Sequence, residues 1–454
     1  MLFAWFETDD LLFLSSFHDA TFAGYIKDAF DIRHAPPLPE VRFYRPLHST
    51  AFLLLYSVAG LNAAAYHAWS LGVHLFNTGM VWIIAGRLTK RALVAGLAAA
   101  FFALHPAYAP AVAWISNNNA LMATAASLFA FWCFMNAEES RTKGHWYWVS
   151  AGSFGAALLF HPESGTMIAV LVAYRLLLGE REKRTRQWRN WAAFVPFVVI
   201  ALGYLTIHRW MLHHHFLPQA ESFDISPHMI KLYLSYFSIS LFPVSAVERA
   251  GESVHQTVFA IAMLGLLAIL VYQAVARGQR VAGVAVFWYL VALAPLSTGS
   301  GKLLSELIDG RKLYVAGPAL AFVLALLVAP AVHALAASSW RTGRAVLVVA
   351  CLAVVSLAGW RVVTYQNQVT SAADQSETFI SQLQTTYPEI SPGSRLYVTS
   401  VPPIFTFAPG LYLDGIVGLY YDDVEVVPDF DGTLPPLQPG DLVFRYQPNG
   451  TAAP

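Results

Sequence analysis

The sequence predicts an all-α polytopic membrane protein that carries a small α+β tail outside the bilayer. Three observations predict it. Of 454 residues, 56% are hydrophobic and only 12% are charged, where a soluble domain carries about a quarter. Ten stretches approach the roughly 20 apolar residues needed to cross a bilayer core. Basic residues gather in alternate turns between those stretches. The 28 basic and 28 acidic residues balance, so net charge points to no nucleic-acid partner. Cys133 and Cys351 both lie inside apolar runs and read as small core residues.

The candidate spans are residues 63–87, 92–107, 119–137, 145–161, 163–179, 190–212, 255–277, 281–297, 313–335 and 344–364. Segments 47–59 and 229–246 are apolar but brief, and read as half-buried helices on the outer face. Arg87, Lys90 and Arg91 mark one inner turn, and Arg141 with Lys143 the next. Arg181 to Arg189, Arg277 with Arg280, and Arg341 with Arg344 continue the series. Turns 106–118 and 161–163 hold no Lys or Arg, which places them outside. Three parts follow: 1–62, a first extracytoplasmic loop with juxtamembrane helices; 63–364, the helical bundle; and 365–454, a small extracytoplasmic domain. That tail starts helical (371–386) and then offers strand candidates at 395–401 and 442–446. Residues 1–8 look like the outer end of a preceding helix, so one further span is expected ahead of them. They lack the basic start and cleavage pattern of an intact signal peptide.

Polar residues crowd the outer parts. Asp9 and Asp10 stand at the membrane boundary, where two carboxylates must be solvated, paired or functional. They read either as a general base or as helix caps. Arg45, in Tyr44-Arg45-Pro46, offers a fork of donors to a phosphate or snorkels to headgroups. Asn117 to Asn119 suit sugar hydroxyls or a helix cap, and Glu163 suits a site or a helix dipole. The loop 302–312 gathers Lys302, Glu306, Asp309, Arg311 and Lys312 against the positive-inside trend. It reads as a phosphate site or an internal ion-pair network. His213, His214 and His215 cannot all face one metal from a helix. His67 and His74, seven apart, share a helix face and read as packing or interior polar contacts. Asp429-Phe430-Asp431 and Asn449-Gly450-Thr451 match short motifs by pattern only.

The order of these pieces resembles the GT-C superfamily of membrane glycosyltransferases. An acidic pair opens the first outer loop and Tyr44-Arg45-Pro46-Leu47 closes it. A helix with His67, His74 and Asn77 follows, then His105-Pro106 and Val112-Ala113-Trp114-Ile115. Glu163 and the stretch Arg311 to Pro318 continue the likeness. It is similar in style to the protein O-mannosyltransferases and their transmembrane and TPR-repeat branch, in a form without TPR repeats. The sequence departs from that branch at Ala109-Pro110, at Asn117 to Ala120 and at the His161-Pro162 turn.

The resemblance implies a GT-C-like helical bundle, set in a bacterial cell membrane, that uses a polyprenyl-phosphate-linked sugar. The acceptor would be a protein or a glycan. Asp9 or Asp10 would be the general base of an inverting displacement. Arg311, with Arg45 and Lys312, would bind the donor phosphate. Tyr44, His105, Asn118, Glu163 and Tyr314 would orient substrates. Some relatives use a divalent metal and others none, and the sequence holds no clear ligand set. A transporter or lipid-handling protein is the alternative, as is a GT-C scaffold without turnover. Transporters place ionisable residues near the midplane, whereas here the spans carry almost no charge.

Overall fold

A computed structural model describes residues 4–18, 20–33, 44–139, 144–179, 191–214, 227–241, 253–295, 313–337, 341–405, 409–430 and 434–448. The helices in chain order are α1 (Thr8–His18), α2 (Phe22–Phe30), α3 (Pro46–Ala59), α4 (Ala63–Thr89) and α5 (Ala92–Leu104). Then come α6 (Ala109–Ala113), α7 (Asn118–Glu139), α8 (Gly144–Phe160), α9 (Met167–Leu178) and α10 (Val195–His214). The series ends with α11 (Pro227–Leu241), α12 (Ser253–Ala276), α13 (Arg280–Leu293), α14 (Gly317–Ala337), α15 (Arg341–Thr386) and α16 (Pro409–Gly418). Each of the ten expected spans is helical in the described residues. The protein is a multi-span helical membrane protein.

Length separates the spans into two kinds. Five helices among the described residues are long and apolar enough to cross a bilayer: α4, 115–139, 192–211, 257–276 and α14. A sixth path is α5 followed by 106–113, bent by 45°. The bend has a local cause. Pro106 disfavours helical backbone at the residue before it, and His105 adopts ψ 115. The 15 residues of α11 reach only about 22 Å.

The helix ends follow ordinary rules. Pro46 sits at the first position of α3, where its missing N–H costs nothing. Gly60 closes α3 at φ 55, a backbone region that a side chain would strain. Pro162 likewise opens the short turn of 162–166 that leads into α9. No Pro or Gly interrupts residues 360–386, and α15 runs unbroken for 46 residues. The span expected at 344–364 and the helix expected at 371–386 are therefore one element.

The chain divides into two compact units. The first comprises 1–70, 113–116 and 364–454. Its core gathers Phe6, Leu14, Phe17 and Tyr66 with Phe379, Phe405, Leu413 and Phe444, all almost fully buried. A three-stranded parallel sheet lies here, ordered β2-β1-β3: β1 (Arg395–Ser400), β2 (Glu425–Pro428) and β3 (Leu442–Arg445). Two of these strands match the expected ones. The third, β2, is four residues long, half-exposed and ends in proline, so no alternation marks it in the sequence. Helix α16 connects β1 to β2 and packs on α1. The second unit comprises 71–112 and 117–363. In it α7 packs on α8, α5 on α14, α11 on α12 and α9 on α13.

The α1–α16 contact is close because Gly415 has no side chain. A Cβ there would stand 2.7 Å from Leu12 Cδ2 and 3.4 Å from Leu12 Cα. Gly415→Val should lower the stability of the first unit by about 1–3 kcal/mol through overpacking. At Gly410 the nearest atom is Pro428 Cγ at 3.8 Å, so Gly410→Ala should leave stability nearly unchanged. Thermal unfolding of the purified protein in detergent checks both.

Candidate functional site

Asp10 is the most constrained candidate. It stands third in α1 and is 1% exposed. The Glu7 N–H donates to its Oδ2 at 3.0 Å, which is the backward half of a capping box. The Ser116 N–H donates to its Oδ1 at 2.7 Å. One carboxylate thus ties the head of α1 to the 115–117 turn, 106 residues away in sequence. Burial pushes the Asp10 carboxyl up to about 7, against the opposing pull of these two N–H groups, and the adjacent Asp9 charge adds to the rise. Asp9, its neighbour, is only half-buried and keeps solvent access.

Tyr44 and Arg45 lie in the same unit. Tyr44 is buried, and its hydroxyl donates to the Phe30 carbonyl at 3.4 Å. Arg45 caps α3, and its carbonyl accepts the N–H of His48 at 3.0 Å. Arg311 and Lys312 lie outside the described residues, as does the rest of the 302–312 loop.

The other candidates belong to the second unit. His105 donates from Nε2 to the Ser240 carbonyl at 3.1 Å and accepts the Ala107 N–H on Nδ1 at 3.3 Å. Both ring nitrogens are therefore occupied within the fold. Asn118 is buried at the head of α7. Glu163 sits in the 162–166 turn, with Oε2 3.9 Å from His161 Nδ1, and its side chain is 15% exposed. Tyr314 is fully buried. Its hydroxyl donates to His74 Nδ1 at 2.8 Å, because His74 Nε2 must donate to the Ala103 carbonyl at 3.3 Å. Asn77 Nδ2 donates to the same hydroxyl at 3.2 Å and to the Leu121 carbonyl at 3.0 Å. Tyr314, just ahead of α14, is thus linked to α4 by two buried hydrogen bonds. His67 Nε2 donates to the Ala4 carbonyl at 3.2 Å within the first unit.

The candidates therefore fall into two sets, Asp9, Asp10, Tyr44 and Arg45 in one unit and His105, Asn118, Glu163 and Tyr314 in the other. Sequence reasoning missed the Ser116 and Glu7 amides, because a backbone donor leaves no residue signature. Among the described residues no group of three or more His, Cys, Asp or Glu side chains could hold a metal ion.

Comparison with known proteins adds a fold and a partial relative. No family model matches the chain. The structure resembles the crystal structure of ArnT from Cupriavidus metallidurans in the apo state, with a TM-score of 0.50 and 13% identity over 94% of this chain and 86% of that one. ArnT bound to undecaprenyl phosphate matches with a TM-score of 0.50 and 14% identity over 93% of this chain and 82% of that one. The chain shares the fold of ArnT over most of its length. Human protein O-mannosyl-transferase TMTC2 is 28% identical over 145 residues, 31% of this chain and 17% of that protein. The mouse protein of the same name is 27% identical over 146 residues, with the same coverage. The match thus spans about a sixth of the length of these curated relatives.

Asp10 generates a pH prediction with a defined sign. Its folded-state pKa of about 7 lies above an unfolded value of about 4. The neutral form is favoured in the fold, so its stabilisation is complete below about pH 4 and is lost as pH rises through 7. The melting temperature should fall across that window in the unmodified protein, and that slope should be absent in Asp10→Asn. Scanning unfolding at pH 4, 5.5 and 7 in detergent measures it.

Proposed function

We propose that this GT-C-type protein is a glycosyltransferase that moves a sugar from a polyprenyl-phosphate donor to a hydroxyl acceptor, a protein or a glycan, on the extracytoplasmic face of a bacterial cell membrane. The fold shared with ArnT, solved with undecaprenyl phosphate, supports the lipid-phosphate donor. The partial match to the protein O-mannosyl-transferases supports sugar transfer. The chemistry is an inverting displacement. A carboxylate takes the acceptor proton as the new bond forms at the anomeric carbon, and the lipid phosphate leaves.

One observation carries the division of labour within the acidic pair. Both oxygens of Asp10 are engaged by backbone N–H groups, whereas Asp9 is half-exposed at the head of the same helix. Asp9 is the better base, because an acceptor hydroxyl must reach it. Asp10 holds the helix that presents it. Arg311, with Lys312 and Arg45, would meet the charge developing on the leaving phosphate. Tyr44, His105, Asn118, Glu163 and Tyr314 would orient the substrates.

Asp9→Asn should lower kcat by about 10²–10⁴-fold while leaving the melting temperature unchanged. Asp10→Asn should lower both. Transfer from a synthetic polyprenyl-phosphate sugar to a hydroxyl acceptor, assayed beside thermal unfolding, measures this; full activity in Asp9→Asn sinks the base assignment. Arg311→Ala should raise KM for the donor more than KM for the acceptor. The reverse pattern counts against a phosphate role.

A further inference from the structure

Helix α10 has two faces. Phe197, Tyr204, His208 and Met211 are buried on one side, and the helix packs against α8. Val199, Leu202 and Leu205 stand on the other, each more than half exposed. Residues 192–211 are long and apolar enough to span a bilayer, so this second face meets lipid. Thr206, exposed on the same face, returns its hydroxyl to the Leu202 carbonyl at 2.8 Å and needs no water.

A cation ends this apolar stripe. Arg209 and His213 are both exposed. Four apart on a helix, they share a face, with their Cβ atoms about 5–6 Å from each other. Arg209 makes no hydrogen bond or ion pair among the described residues. It stands at the end of α10 away from the basic turn 181–189, so the inner excess of basic residues does not account for it. A guanidinium at a bilayer boundary is costly unless its donors are taken up. The anion that a bilayer offers at this depth is the phosphate of a lipid headgroup.

We propose that this end of α10 is a binding site for one lipid phosphate, held by the Arg209 fork with His213 as a second donor, with the lipid's hydrocarbon chain along Leu202 and Leu205. The guanidinium matches two phosphate oxygens at once. An imidazole N–H donates to an oxyanion in either protonation state. The apolar stripe that runs on from the cation selects an amphiphile over a free anion. Trp210 stacks on His214, ring centroids 4.4 Å apart, and a tryptophan there suits the headgroup level. The last carbonyls of a helix repel an anion. His214 Nδ1 covers one of them by donating to the Trp210 carbonyl at 2.8 Å. Arg209, five residues before the helix end, holds the phosphate at the side of α10, clear of its tip. None of the residues proposed for sugar transfer lies on α10, so the site stands whether or not the chain transfers sugar.

Native mass spectrometry of the whole chain in detergent, titrated with phosphatidylglycerol, tests the site. Arg209→Gln should weaken the first lipid bound by about tenfold. His213→Asn should weaken it by about two- to fivefold. Arg277→Gln, which removes an exposed cation just past the end of α12, should leave that step unchanged. Monogalactosyl diacylglycerol lacks phosphate and should bind the unmodified protein and Arg209→Gln alike. Inorganic phosphate should not displace the bound lipid. Equal weakening by Arg209→Gln and Arg277→Gln would reduce the effect to general charge and overturn the site. Loss of the glycolipid in step with phosphatidylglycerol would assign Arg209 to packing, and displacement by inorganic phosphate would make the ligand a free anion. Either result overturns the proposal.

Discussion

The first unit depends on one carboxylate. Asp10 accepts the N–H of Glu7 and the N–H of Ser116, and so joins a helix near the start of the chain to a turn 106 residues further on. Hydrophobic packing alone cannot set that geometry, because it is non-directional. Two hydrogen bonds to one planar group fix both distance and angle. The aromatic core of Phe6, Phe17, Tyr66, Phe379 and Phe405 then supplies the bulk of the burial around it. The cost is a carboxyl whose ionisation is displaced to about 7 by loss of solvent. That displacement is the expected mark of a group retained for position or chemistry in a dry place.

The acidic pair illustrates how adjacent residues of one type come to occupy different environments. On a helix, neighbours point about 100° apart, so Asp9 and Asp10 cannot share an environment. One turns into the core and is held by backbone donors. The other stays half-exposed at the same helix end. A base must meet its substrate, and a buried carboxylate with both oxygens occupied meets it poorly. The distinction rests on geometry, and no count of carboxylates contains it.

Much of the fold was legible in the sequence because its cause is compositional. Long apolar runs between basic turns can only be helices in lipid, where every backbone group must be satisfied within its own segment. All ten expected spans are helical in the described residues. Less legible was the strand β2, since four half-exposed residues carry no period. The joining of 344–364 to 371–386 as α15 was also missed, because a change from apolar to polar composition resembles a boundary although no helix breaker stands there. For the site, residue types were readable but their engagement was not. In the sequence Tyr314 is a substrate-orienting candidate, His74 reads as a packing or interior polar contact, and Asn77 enters only through the resemblance. They form one directed chain of bonds, in which the Tyr314 hydroxyl gives its proton to His74 and accepts one from Asn77.

That chain of bonds explains why polar residues occur inside these helices at all. A polar side chain within a membrane span is costly unless paired. Asn77 bonds to α7 through the Leu121 carbonyl, and His74 bonds to α5 through the Ala103 carbonyl. Both converge on Tyr314, just ahead of α14. Helices in lipid gain little from apolar contact with one another, because the tails are equally apolar. Directional bonds are what distinguish one arrangement of apolar helices from the next. The buried polar groups His74, Asn77 and Tyr314 thus sit where neighbouring helices must be held in register. A fold with so few charges in its spans sets the register of its helices largely through such neutral donors and acceptors, while the buried Arg175–Glu138 pair, 2.6 Å apart, adds a charged tie between α9 and α7.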